Sequence, residues 1–186
     1  MTNKENVVSQ QTTPKYQQKK DKSYRFLTAA VLAFFTGLVL CVAFYSYTLI
    51  NIFQLSKFFV GFTVVGFLIP LKYYQKWFHF IKYETIIFNI IGIGPFLTGL
   101  FLFINFTFSS NPFTHQYKIE KLYFEGEQDY KSIGVVLEEN MFSKERKIVE
   151  LTRVSPNEVF SKQFLKVTIA EGLFGYQVIK EKELVN

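Results

Sequence analysis

The side chains able to do chemistry in this sequence are few, and they do not converge. His79 and His115 are the two histidines, and neither sits with Cys, Asp or Glu at a spacing that gathers metal ligands. No serine nucleophile motif occurs, and no helix carries the paired histidines of a metalloprotease. Glu125, Glu127 and Asp129 cluster beside Gly126, but their spacing departs from a calcium loop and reads as a solvated turn. Cys41 is the single cysteine, so no intramolecular disulfide can form, and Leu40 before it is too large for a lipoprotein cleavage site. Gly92, Gly94 and Gly99 stand in a stretch too apolar for a phosphate-binding loop. The expectation is a non-enzymatic protein with no cofactor and no metal.

The elements that hold these residues explain why polar chemistry is scarce. Of 186 residues, 49% are hydrophobic and 19% charged, with 23 Phe and 11 Tyr. Within residues 26–106 the only charges are Lys57, Lys72, Lys76, Lys82 and Glu84, all at the borders of apolar runs. A soluble helix keeps one wet face, whereas this segregation predicts membrane spans. Three are expected, at about 26–53, 58–74 and 85–106, with a kink at Ile93-Gly94-Pro95 where proline blocks a helical hydrogen bond. Residues 1–24 form a polar, basic tail that cannot bury enough surface to order itself. The fold class is therefore membrane α-helical, with three transmembrane helices across residues 25–110. A small α+β extramembrane domain with an antiparallel sheet occupies residues 111–186.

Two patterns within the spans suggest specific roles. Ala29, Ala33, Gly37 and Cys41 recur every four residues and form a groove for close helix packing, within the chain or against a second copy. Asn89, deep in the third span, is placed to hydrogen-bond across helices. Between the second and third spans, Lys72, Tyr73, Tyr74, Lys76, Trp77 and Lys82 interleave lysines with amphipathic aromatics, the pattern of anchors at a membrane–water interface. Asn105-Phe106-Thr107 matches a glycosylation sequon but lies too close to the bilayer to be used.

Charge gives an orientation. Residues 1–112 carry ten Lys or Arg against three acids, and residues 113–186 carry eleven against twelve. The net +6 is thus concentrated beside the spans, which argues for the positive-inside rule and against nucleic-acid binding. The arrangement expected is a bacterial inner-membrane protein with its N-terminus cytoplasmic and its C-terminal domain extracytoplasmic. The richness in Phe, Ile, Lys and Asn suits an AT-rich bacterial genome.

The exposed domain reads as short strands at Gln116–Phe124 and Ile133–Glu138, a segment 143–153 whose apolar residues fit either a helix or one strand face, with strand favoured, and a final hairpin. That hairpin runs from Lys166–Ala170 through Glu171-Gly172-Leu173-Phe174-Gly175 to Tyr176–Lys180. Ser155 and Glu158 make a capping box around Pro156, predicting a helix to about Phe164. About 70 residues without a disulfide make a marginal core, so the domain should lean on the membrane surface, a copy of itself or a partner. The function expected is an accessory, assembly or interaction subunit that contacts the lipid bilayer and a protein partner or homo-oligomer. A sensor or signalling component is the alternative, and an oligomeric channel or carrier comes after it.

Overall fold

The computed structural model describes residues 15–125, 132–138, 148–151 and 162–186. Helix α1 spans Lys15–Tyr45, so helix replaces the disorder expected for residues 15–24. Its apolar part, Phe26–Tyr45, is long enough to cross a membrane. The helix stops well short of residue 53, because Thr48 turns the chain. Its backbone N–H donates to the Phe44 and Tyr45 carbonyls, and its hydroxyl donates to Phe44 O at 2.9 Å.

Asn51 caps α2 (Ile52–Leu68) by accepting a hydrogen bond from Phe53 N at 2.9 Å. The second span expected at 58–74 is in fact broken. Proline lacks the N–H a helix needs and drives the preceding residue into extended backbone; Ile69, at ψ 118°, obeys. Past Pro70 the chain turns by 82° into α3 (Leu71–Phe78). Helix α3 ends on His79 in the left-handed region (φ 61°), and Glu84 Oε2 accepts from Ile81 N at 3.0 Å to start α4 (Lys82–Phe88).

A π-helical turn, Asn89–Ile93, joins α4 to α5 (Gly94–Thr107) without a break, giving one apolar rod over Lys82–Thr107. At the Ile93-Gly94-Pro95 site where a kink is expected, the helix carries this turn. Its extra residue widens the helix where the proline ring would meet the preceding turn, and Gly94 N closes it by donating to Asn89 O. Two helices are thus long and apolar enough to cross a membrane, and three if the bent α2–α3 pair counts as one.

Close contact of α1 with α5 builds the bundle. A Cβ on Gly37 would lie 2.5 Å from the Phe96 backbone, and one on Gly99 would lie 2.6 Å from the Gly37 carbonyl. Only hydrogen fits at either place.

The five strands are β1 (Ser110–Glu125), β2 (Ser132–Leu137), β3 (Ile148–Leu151), β4 (Phe164–Glu171) and β5 (Gln177–Val185). All neighbours are antiparallel, in the order β3-β2-β1-β4-β5. Strand β1 is longer than the sequence suggests, and its two halves have different partners. Residues up to Lys118 pair with β4, and those from Ile119 pair with β2, with a register shift at Ile119/Lys121 that curls the sheet. Alternation puts Leu165, Val167 and Ile169 of β4 with Val135, Leu137 and Ile179 in the fully buried core. The capping box at Ser155 and Glu158 lies outside the described residues, as do residues 1–14. Phe164, expected to end that helix, begins β4 instead.

Candidate functional site

The small residues of α1 meet the third rod within the same chain. Ala33 lies against Gly92, Cys41 Sγ is 3.8 Å from Pro95 O, and Gly37 is pressed on Phe96. Ala29 and Ala33 also flank a buried cluster of Ala30, Tyr74, Phe80 and Phe88. The four residues therefore serve intrachain packing.

At that end of the bundle the interleaved Lys–aromatic segment forms the amphipathic helix α3. Lys72, Lys76 and Lys82 are exposed, as are Tyr73 and Trp77, but Tyr74 is not: only 4% of it is accessible. It turns inward because Pro70 folds α3 back toward the bundle, so Tyr74 leaves the set of surface anchors. Its hydroxyl lies 2.9 Å from Gly66 O and 2.8 Å from Asn89 Oδ1. Asn89 is 0% exposed, and with Oδ1 on the tyrosine its Nδ2 has no partner. A phenol carries one proton and cannot donate to both acceptors. Turning the amide over resolves this: Nδ2 donates to Tyr74 Oη, which donates to Gly66 O, and a carbonyl oxygen is left unpaired at lower cost. Gly66 is required here, since a Cβ would fall 2.6 Å from Asn89 Oδ1. A break in one helix, a π-turn in another and a buried polar pair thus coincide. Between α1 and α3 beside them lies an apolar cavity of about 450 Å³.

The other end of the bundle carries the sheet through a second set of contacts. Asn105, also 0% exposed, reads the β4–β5 turn as a peptide: Nδ2 donates to Tyr176 O and Phe174 N donates to Oδ1, both at 2.9 Å. A Cβ on Gly172 would strike both Asn105 amide atoms and Tyr176 O, so this turn admits only glycine. Phe174 stacks on Phe101 at 4.8 Å, and Tyr176 meets Phe58 edge-on at 5.8 Å. The α1–α2 connector adds itself to β5: Thr48 bridges Val178, Leu49 N donates to Gln177 O, and Ile179 N donates to Tyr47 O. Lys180 Nζ donates to Phe106 O at 2.6 Å in the last turn of α5, where a cation complements the helix dipole. Partial burial there pushes its ammonium pKa below the usual lysine range.

Above this junction β1 carries a row of rings on one face. Phe113 meets His115 edge-on at 5.3 Å, and His115 lies 6.0 Å from Tyr117. Their cross-strand partners, Ile169, Val167 and Leu165, are fully buried, yet Phe113 and His115 remain exposed. Burial raises the Tyr117 phenol pKa above its usual value.

Sequence reasoning picked out Asn89 as a polar group between helices but missed the Asn105 clamp. The signal was visible as a second asparagine buried in an apolar run, which read only as a sequon. Among the described residues, no three of His, Cys, Asp and Glu gather as metal ligands would. Comparison with protein-family models finds no match, and comparisons with curated proteins and with solved structures find none either.

Proposed function

We propose that the protein is a non-enzymatic membrane subunit that presents its sheet to a protein partner at a fixed height above the bilayer. In this reading α1, the bent α2–α3 pair and the α4–α5 rod span a bacterial inner membrane. The N-terminus and α3 lie on the cytoplasmic side, following the lysines, and the sheet lies outside. The observation that carries the proposal is the pair of exposed rings Phe113 and His115, continued by half-buried Tyr117, on a strand whose sheet is clamped to the bundle. Exposed aromatics on a rigid support are the usual anchors of a protein interface, because they bury area at little entropic cost. A domain meant to sample ligands freely would not be joined to the helices at Asn105, Thr48 and Lys180 at once.

The test is a photo-crosslinking amino acid at His115 in native membranes, with Gln116 on the opposite face as control. The expected result is a discrete adduct with one protein from position 115 and none from 116. Adducts only with lipid, or equal adducts from both positions, would defeat the proposal.

A further inference from the structure

The groove between α1 and α3 plays no part in presenting the sheet, yet it is a formed site. Its floor is made by the small side chains Ala29 and Ala33, and its rim by Thr36, Tyr73 and Trp77. Thr36, Tyr73 and Trp77 are exposed, so the cavity opens sideways on the outer surface of the bundle. Its lining is apolar almost throughout, and beside it the ammonium of Lys72 lies over the Tyr73 ring at 5.4 Å. Lys76 follows one turn later on the same face of α3. Among the described residues no carboxylate pairs with Lys72, Lys76 or Lys82. An apolar hollow with unneutralised cations at one end is complementary to an amphiphile with an acyl chain and an anionic head.

We infer that this groove binds an anionic phospholipid, one acyl chain lying between α1 and α3 and the headgroup phosphate on Lys72 and Lys76. The inference rests on the proposed membrane placement, with α3 at the cytoplasmic surface. Charge favours a lipid over an apolar helix, because Lys72 and Lys76 flank the hollow and no carboxylate among the described residues pairs with them. Aromatics at headgroup depth and lysines near an anionic leaflet act in the same direction.

Trp77 is the chain's single tryptophan, 69% exposed at the rim, so its fluorescence reports on the groove directly. The full chain is placed in nanodiscs of phosphatidylcholine containing a small fraction of lipid brominated along one acyl chain. That lipid is either phosphatidylglycerol or phosphatidylcholine. Brominated phosphatidylglycerol should quench Trp77 at a concentration lower by about 30-fold, the factor for two interfacial lysines at about 1 kcal/mol each. The preference should vanish in Lys72→Gln/Lys76→Gln and also in Thr36→Phe, which fills the hollow from an exposed position and leaves the lysines in place. Equal quenching by the two lipids in the native chain overturns the site, as does a preference that survives Thr36→Phe, which would mark a diffuse basic surface. Quenching that falls as protein is concentrated in the disc would assign the groove to a second copy instead. Quenching by neither lipid would overturn the membrane placement of α3 itself.

Discussion

Asn89 and Asn105 are the same residue type buried to the same extent in one helical rod, and they do opposite things. Asn105 satisfies two backbone groups of the hairpin turn, so its loss strips Phe174 N–H of its acceptor, while Tyr176 O keeps the hydrogen bond from Gly172 N at 3.1 Å. Asn105→Ala should cost about 1–3 kcal/mol, and Asn105→Asp should destabilise as well, because a carboxylate cannot donate to Tyr176 O and is buried against it. Hydrogen exchange at Phe174 would register Asn105→Ala as lost protection, and a lowered melting temperature would register Asn105→Asp. Asn89, by contrast, holds one polar atom that nothing satisfies. Tyr74 keeps Gly66 O as an acceptor without it. Asn89→Leu should therefore leave thermal stability unchanged or raise it by up to about 1 kcal/mol, whereas Tyr74→Phe, which strands the amide completely, should lower it by a similar amount. Melting the two single variants and the double variant in detergent tests the pair. A double variant less stable than Tyr74→Phe alone would contradict this account.

At the level of elements, the helices are shaped by where backbone hydrogen bonds are withheld or moved. Pro70 ends α2, and the αL residue His79 ends α3, so this short amphipathic helix lies across the bundle axis. The π-turn Asn89–Ile93 adds a residue that sets the rotation of α4 relative to α5. Deleting the exposed Ile91 should restore ordinary helix and turn α4 by about 100° against α5, carrying Thr85 and Phe88 out of the buried cluster. The rod would stay helical by circular dichroism while its melting temperature falls. Contact between α1 and α5 depends on glycine at the crossing, so Gly37→Val should cost about 1–3 kcal/mol through overpacking. Retention of native stability by that variant would mean that the helices do not approach as closely as the Gly37–Gly99 contact requires.

On the scale of the whole molecule, sheet and bundle form one body. The connector after α1 extends β5, the tip of the β4–β5 hairpin rests on α5, and Lys180 holds the end of the rod. A fragment of residues 108–186 would expose Val178 and leave the partners of Thr48 and Asn105 open. It should be unfolded or aggregated in water, and a well-dispersed amide spectrum from it would refute the coupling described here. The proposed topology makes a separate demand. In a Cys41→Ser background, cysteines at the exposed positions Gln75 and Glu181 should react with an impermeant maleimide from opposite sides, Glu181 from outside intact cells and Gln75 only after the membrane is opened. Labelling of both from one side would overturn it.

Charge segregation and apolar length are local properties, and they sufficed for the apolar helical segments, the antiparallel strands and the hairpin at Gly172–Gly175. Alternation marked β2 and β4 because burial on one face imposes period two. Tertiary structure decided the rest. The break at Pro70 is an 82° turn, and it carries Tyr74 inward to Gly66 and Asn89 inside the bundle. Ahead of Pro95 the rod takes a π-turn, which lets Asn89 face α2 and Gly92 face α1. Of the six expected anchors, Tyr74 alone is buried, because of the turn at Pro70. Periodicity places a residue on a helix face, but which face is wet depends on what lies across from it. The junction at Asn105, Thr48 and Lys180 was not legible in the sequence, since it joins residues far apart in the chain whose partners are backbone groups that carry no sequence signature.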